Sequence, residues 1–111
     1  MNDEIKKYLT DVLKAIDYID FFVGQPRDFL TYQKDAKTKF AVERNLEIIG
    51  EAINNVLKIA PDIAISSARK IVDMRNRLIH AYDAVDDYVI WAVINTHLPQ
   101  LKVEIDTLFK E

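Results

Sequence analysis

Apolar residues recur along this chain at intervals of three and four, the spacing that gathers them on one stripe of an α-helix. From about Glu4 to Val23 the stripe is Ile5, Leu9, Val12, Ile16, Ile19 and Val23, which predicts a first helix. Gly24-Gln25-Pro26 ends it, because glycine accepts a left-handed cap and proline cannot continue the backbone ladder. Arg27 to Lys34 is less regular, and Phe29, Leu30 and Tyr32 read as a short helical turn over an edge of the core. A longer helix is expected from Asp35, a candidate cap, to about Ala60, with Val42, Leu46, Ile49, Ile53 and Leu57 inward. Pro61 closes it, and 61–65 is a connector. Ser66 or Ser67 is placed to cap the next helix, which runs through Ala68 to about His80 or Tyr82. Asp86 or Asp87 opens the last, with Tyr88, Trp91, Ala92, Leu101, Ile105 and Leu108 as core positions. Pro99 should kink or break it into segments of about 86–97 and 99–110.

The expectation is an all-α fold, an up-and-down bundle of four to five helices forming one domain over 1–111. Only two glycines and three prolines interrupt 111 residues, half of them hydrophobic, which suits long helices better than a sheet with many turns. A chain of this size has a core of its own, and a second copy is a natural way to bury more surface, so a homodimer is expected. There is no cysteine, hence no disulfide framework and no thiolate metal or redox chemistry. The charged start Met1-Asn2-Asp3-Glu4-Ile5-Lys6-Lys7 lacks the apolar core of a signal peptide, and no apolar run approaches a membrane span. A cytoplasmic protein without a membrane partner is the expectation.

Charge changes the picture locally. The net charge of −3 argues against a broad electropositive surface for duplex DNA. Between Ser66 and Tyr82, however, four basic residues (Arg69, Lys70, Arg75, Arg77) face one acid, Asp73, whereas Asp83 to Glu111 holds six acids and two lysines. A small basic site on an acidic body suits brief contact with a phosphodiester.

That site centres on Met74-Arg75-Asn76-Arg77-Leu78-Ile79-His80-Ala81-Tyr82. On a helical wheel Ile71, Ile79 and Tyr82 lie within about 40° of Arg75 and Leu78 about 60° away, so Arg75 sits centrally on the apolar face. An arginine there requires a carboxylate, phosphate or water for its five donors. Arg69, Asp73, Arg77 and His80 lie on the other, solvated side, where Asp73 can pair with both arginines at four-residue spacing. Arg75 and His80 stand about 140° apart on an unbroken helix. Convergence therefore needs either a helix end near Ile79 that lets His80 swing round or a meeting of two protomers across a twofold axis. The second is favoured by an apolar face with an arginine in it, which suits an interface better than a dry core. Asn76 and His80, four apart, share a side.

The chemistry these residues suit is RNA cleavage. An imidazole moves protons near neutral pH and can serve the ribose 2′-hydroxyl or the leaving oxygen, while the planar fork of Arg75 holds phosphate and stabilises its developing charge. Asn76 orients the imidazole or the substrate, and Arg69, Lys70 and Arg77 are candidates for further phosphate contacts. No metal is required if the internal 2′-hydroxyl is the nucleophile, and a single His with Asp83, Asp86 and Asp87 matches no familiar ligand set. No cofactor is implied. The bland alternative is that a lone His near a helix end is a cap or a surface group. Two features of the long central helix bear on Arg75. Glu43, Glu47 and Glu51 recur every four residues, either as a solvated acidic face or with one of them turned to a basic group of the site helix. Gly50, unfavourable in mid-helix by about 1 kcal/mol against alanine, suggests a close approach by another helix or chain.

Arg75-Asn76, then His80, then Tyr82 resembles the signature of the HEPN superfamily. Within it, Ala41-Val42-Glu43-Arg44-Asn45-Leu46-Glu47-Ile48-Ile49-Gly50-Glu51-Ala52 together with Met74 to Tyr82 resembles the HepT-like family, over essentially the whole chain. The resemblance implies an all-helical homodimer with a composite cleft and a metal-independent ribonuclease acting as the toxin of a toxin–antitoxin pair. It implies Arg75 and His80 as the catalytic pair, Asn76 in support, and an MNT-type nucleotidyltransferase as antitoxin partner. It also implies that Tyr82 is the tyrosine which that partner modifies with AMP, adding negative charge beside the cleft. Two positions depart from the family pattern: Ile63-Ala64-Ile65-Ser66 stands where a Pro-Trp pair is common, and Ala81 where glycine is common. Alanine makes a sharp break after His80 less easy and so favours the dimer route. The contrasting reading is a non-catalytic helical module that docks a nucleotidyltransferase, with Arg75 buried for structure.

Overall fold

The computed structural model describes residues 1–81 and 85–111. In order, α1 is Asp3–Val23, α2 Phe29–Lys34, α3 Ala36–Ile59, α4 Ala68–His80 and α5 Asp87–Ala92; a π turn over Val93–His97 then leads into α6, Leu98–Lys110. The described residues form an all-α bundle. α3 is its axis, packed along one flank by α1 and along another by α4, while α6 returns against α1. Leu9, Val12 and Ile19 of α1, Val42, Ile49, Ile53 and Val56 of α3, and Leu101 and Ile105 of α6 are wholly buried. No helix among the described residues is long and apolar enough to cross a membrane.

Short polar side chains set most helix starts. Asn2, Asp28, Asp35 and Asp86 each accept a backbone N–H from the first turn of the helix that follows. Hydrogen bonds from Thr31 to Asp28 and from Thr38 to Asp35, side chain first and backbone second, hold both carboxyls below the ordinary aspartate range. Gly24 ends α1 at a φ of 69°, where glycine is the residue without a steric penalty. At the start of α4 the outcome differs from the expected serine cap. Ser67 occupies the cap position, yet its buried hydroxyl has no partner among the described residues. Ser66 instead gives its backbone N–H and its hydroxyl to Glu104 of α6, at 2.9 and 3.1 Å, and so moors the connector to the far side of the bundle.

The interruption expected at Pro99 takes the form of a wider turn rather than a gap. Proline lacks an N–H and crowds the carbonyl four residues back. The π turn absorbs this just upstream, with the Leu98 N–H reaching the Val93 carbonyl five residues earlier. The inward positions of this region also differ from those anticipated. Tyr88 and Ala92 are exposed, and Ile90, Val93, Ile94 and Leu98 fill the core instead. The Tyr88 ring stacks on Phe29 of α2 at 4.4 Å, so it seals an edge rather than filling the interior. Beside it, Lys39 of α3 pairs with Asp87 at 2.9 Å. Together these contacts fix where the chain re-enters helix after α4.

α3 and α4 cross at Gly50. A Cβ on that glycine would lie 2.1 Å from the Cβ of Arg75, 2.7 Å from its Cγ and 3.2 Å from the Ile71 carbonyl. The mid-helix glycine therefore marks the close helix approach anticipated for it, and the residue it admits is Arg75.

Candidate active site

α4 buries Ala68, Ile71, Val72, Met74 and Leu78, and Arg75 stands in the middle of that face. Its aliphatic stem lies on Gly50, and the stem's packing fixes where the guanidinium emerges. Nη1 donates to Asn76 Oδ1 at 2.9 Å, and Nη2 lies 3.7 Å from Glu51 Oε2. Nε is buried without an acceptor among the described residues. Of the three glutamates on α3, Glu51 is the one that faces the site helix. Glu47 pairs with Arg44 at 3.2 Å, and Glu43 lies toward Lys39 and Asp87, where burial first of all raises its carboxyl above the ordinary range. Because the Glu51 side chain is 64% exposed and its separation from Arg75 exceeds a hydrogen bond, the pair is loose. A phosphate oxygen is a stronger partner for such a fork and can displace it.

His80 is the last residue of α4 and is exposed. The helix does not stop at Ile79: it runs through His80, and Ala81 then leaves it at a φ of −147°, its N–H still bonded to the Arg77 carbonyl at 2.8 Å. The chain thus turns out of the helix without a glycine. With no swing of His80, the angular gap to Arg75 persists along the backbone. Asn76 spans part of it, since its amide holds the Arg75 guanidinium while its own position shares a side with His80 one turn on. Arg75 touches Asn76 and Glu51, and His80 stands at the end of the same helix, one turn beyond Asn76.

The remaining predicted residues divide. Tyr82 lies outside the described residues. Arg69, Lys70, Asp73 and Arg77 are exposed, and Asp73 forms no ion pair with either arginine among the described residues. Lys70 and Arg77 line a groove of about 280 Å³ between α4 and the α5–π segment, whose other wall includes His97. That histidine played no part in the sequence reading, because the wider turn that aims it at α4 has no periodic signature. Ile79, next to His80, is 40% exposed. Among the described residues no three His, Asp or Glu side chains gather closely enough to hold a metal ion.

Known proteins resemble this chain over nearly its whole length. The model of the family described as ribonuclease HepT-like matches residues 4–108. This chain belongs to that family. The HepT-like assignment, within the HEPN superfamily, is reinforced by a relative in Thermococcus cleftensis named "Probable ribonuclease HepT". It is 40% identical over 111 residues, spanning 95% of this chain and 96% of the relative. A Methanocaldococcus jannaschii protein named as a candidate RNase is 31% identical, spanning 97% of this chain and 93% of its own length. A solved structure described as a toxin–antitoxin with AMP-PNP has the same fold, with a TM-score of 0.73 over 99% of this chain and 100% of that one at 19% identity.

Proposed function

We propose that this HepT-like chain is a metal-independent endoribonuclease, the toxin of a toxin–antitoxin pair, with Arg75 and His80 as its catalytic residues. The observation that carries the reading is Arg75: a guanidinium fixed by packing on Gly50, only loosely held by Glu51 and bonded to Asn76, one turn beyond which stands an exposed imidazole. In the reaction the ribose 2′-hydroxyl gives up its proton and its oxygen bonds to the adjacent phosphorus. The bond from phosphorus to the 5′-oxygen breaks, and that oxygen takes a proton. The products are a 2′,3′-cyclic phosphate and a free 5′-hydroxyl. His80 takes the proton from the 2′-hydroxyl or gives one to the 5′-oxygen; the other transfer is made with solvent or with His80 of a second protomer in a homodimer. Arg75 binds the phosphate and stabilises charge on its non-bridging oxygens. Asn76 holds the guanidinium toward the side of the helix on which His80 stands.

The names of the relatives and the toxin–antitoxin description of the structural neighbour support an RNA substrate and an antitoxin partner. The antitoxin is inferred to be an MNT-type nucleotidyltransferase that silences the toxin by adding AMP to Tyr82 or by covering the site. The first test compares the protein with its His80→Ala form on single-stranded RNA in EDTA. The expected result is cleavage to cyclic-phosphate ends by the former and loss of about 10² to 10⁴ in rate for the latter. Equal cleavage by both removes His80 from the reaction, and none by either points instead to a docking module without catalysis. Incubation with the partner and ATP should add an adenylyl mass that Tyr82→Phe abolishes.

A further inference from the structure

The groove between α4 and the α5–π segment is a built feature that the reaction above does not use. One wall is Lys70, Ile71, Asp73, Met74 and Arg77; the other is Val89, Val93 and His97. Ile71, Met74 and Val93 form a buried apolar floor, and His97, half-buried, comes from the π turn. π turns are rare, and they recur at functional sites. On the α4 wheel Lys70 and Arg77 stand about 20° apart and two turns from each other, so they form one basic rim roughly 10 Å long. Arg77 is also about 60° from His80, one turn before the helix end, so the rim leads toward the imidazole.

We propose that this groove binds a nucleotide of single-stranded RNA flanking the scissile phosphate, an inference that rests on the ribonuclease reading. Lys70 and Arg77 take its phosphates. The base lies on the floor of Ile71, Met74 and Val93, with the flat imidazole of His97 against it, as bases pack on aromatic and apolar surfaces in single-strand binding sites. Asp73 stands on the same rim and repels phosphate, which steers the backbone to the two cations and leaves its carboxylate to accept from a base amino group or a ribose hydroxyl. An acidic peptide fits less well, because it gains nothing from an apolar floor and an imidazole face. The geometry thus adds His97 as a binding residue, and it makes the reaction selective for RNA long enough to reach from His80 into the groove.

The test measures binding of a fluorescent single-stranded RNA to the full chain in a His80→Ala background, as a function of salt. Lys70→Ala and Arg77→Ala should each weaken binding several-fold and lower the slope of log affinity against log salt by about 0.7, the release of one counterion site. His97→Ala should weaken it about fivefold or more through lost stacking. Lys110→Ala, an equal charge change at the far end of α6, should leave the slope as it was. Unchanged affinity and slope in all three groove variants, or an equal drop with Lys110→Ala, overturns the groove. If the protein with His80 intact still cleaves RNA while the groove variants bind as before, the groove fails and the ribonuclease reading stands. Binding through the groove without cleavage by the intact protein has the reverse meaning.

Discussion

The two faces of α4 are packed by opposite rules. Toward α3, the Arg75 stem meets Gly50 with no room for a single methyl group. Toward α5 and the π turn, the same helix leaves a groove of about 280 Å³ with charged residues on its rim. Close packing fixes a side chain in one place, because neighbours on a dense surface cannot yield. An open, polar-rimmed groove fixes little and can receive a ligand. The difference assigns distinct roles to residues only a turn apart: the tight face aims Arg75, and the loose face offers Lys70, Arg77 and His97 to whatever binds.

The largest effect should come from altering the group that the tight face aims while leaving its packing alone. Arg75→Lys keeps an aliphatic stem on Gly50 and a positive charge, but loses the planar fork that reaches Asn76 and a phosphate together. Cleavage should fall by about 10² or more in kcat/KM, with little change in the urea unfolding midpoint. A lysine variant of near-normal rate shows that Arg75 acts only as a cation. Next in size is Gly50→Ala. Helix propensity alone favours alanine by about 1 kcal/mol. Overpacking costs about 1 to 3 kcal/mol, and here the clashing atom is the Arg75 Cβ, which cannot rotate away from its own backbone. The variant should therefore be destabilised by up to about 2 kcal/mol in urea unfolding, against its propensity. It should also lose activity as α4 shifts. A gain in stability means that the crossing is looser than its geometry.

Much of this contrast was legible in the residues. The three- and four-residue spacing carried the helices, because burial of one face is imposed at every turn and leaves a periodic trace. Gly50 and Arg75 each broke a local rule, an unfavourable residue in mid-helix and a charge on an apolar face, and the two exceptions explain one another at a single crossing. Glu51 was one of three equivalent candidates, since four-residue spacing puts all three on one side of α3 and only the position of α4 selects among them. The loose face left no such trace. Whether a proline is met by a break or by a wider turn depends on what packs around it, so the π turn, the placing of His97 and the exposure of Tyr88 follow from tertiary context. Ser66 and Ser67 show the same limit: both are good caps by type, and a glutamate 38 residues away draws off one of them.

Two smaller changes sharpen the comparison. Glu51→Gln removes the carboxylate that competes with phosphate for Arg75. A pair this exposed is worth at most about 1 kcal/mol, so RNA affinity should rise by up to about fivefold in a binding titration while stability hardly moves. Weaker binding instead assigns Glu51 to holding Arg75 in place. The smallest effect on stability should come from the most conspicuous change in volume. Val89, 39% exposed on the wall of the groove, has free space beside it. Val89→Phe should therefore keep the unfolding free energy within about 0.5 kcal/mol, as substitutions away from a packed contact do. A ring added to the loose face then perturbs the bundle less than one methyl group added to the tight face. Its effect should appear in binding, where a phenyl group lying on Ile71 and Met74 takes the place proposed for a base and weakens RNA affinity. If Val89→Phe unfolds the protein as readily as Gly50→Ala does, both faces of α4 are close-packed, and the groove is too shallow to hold a nucleotide.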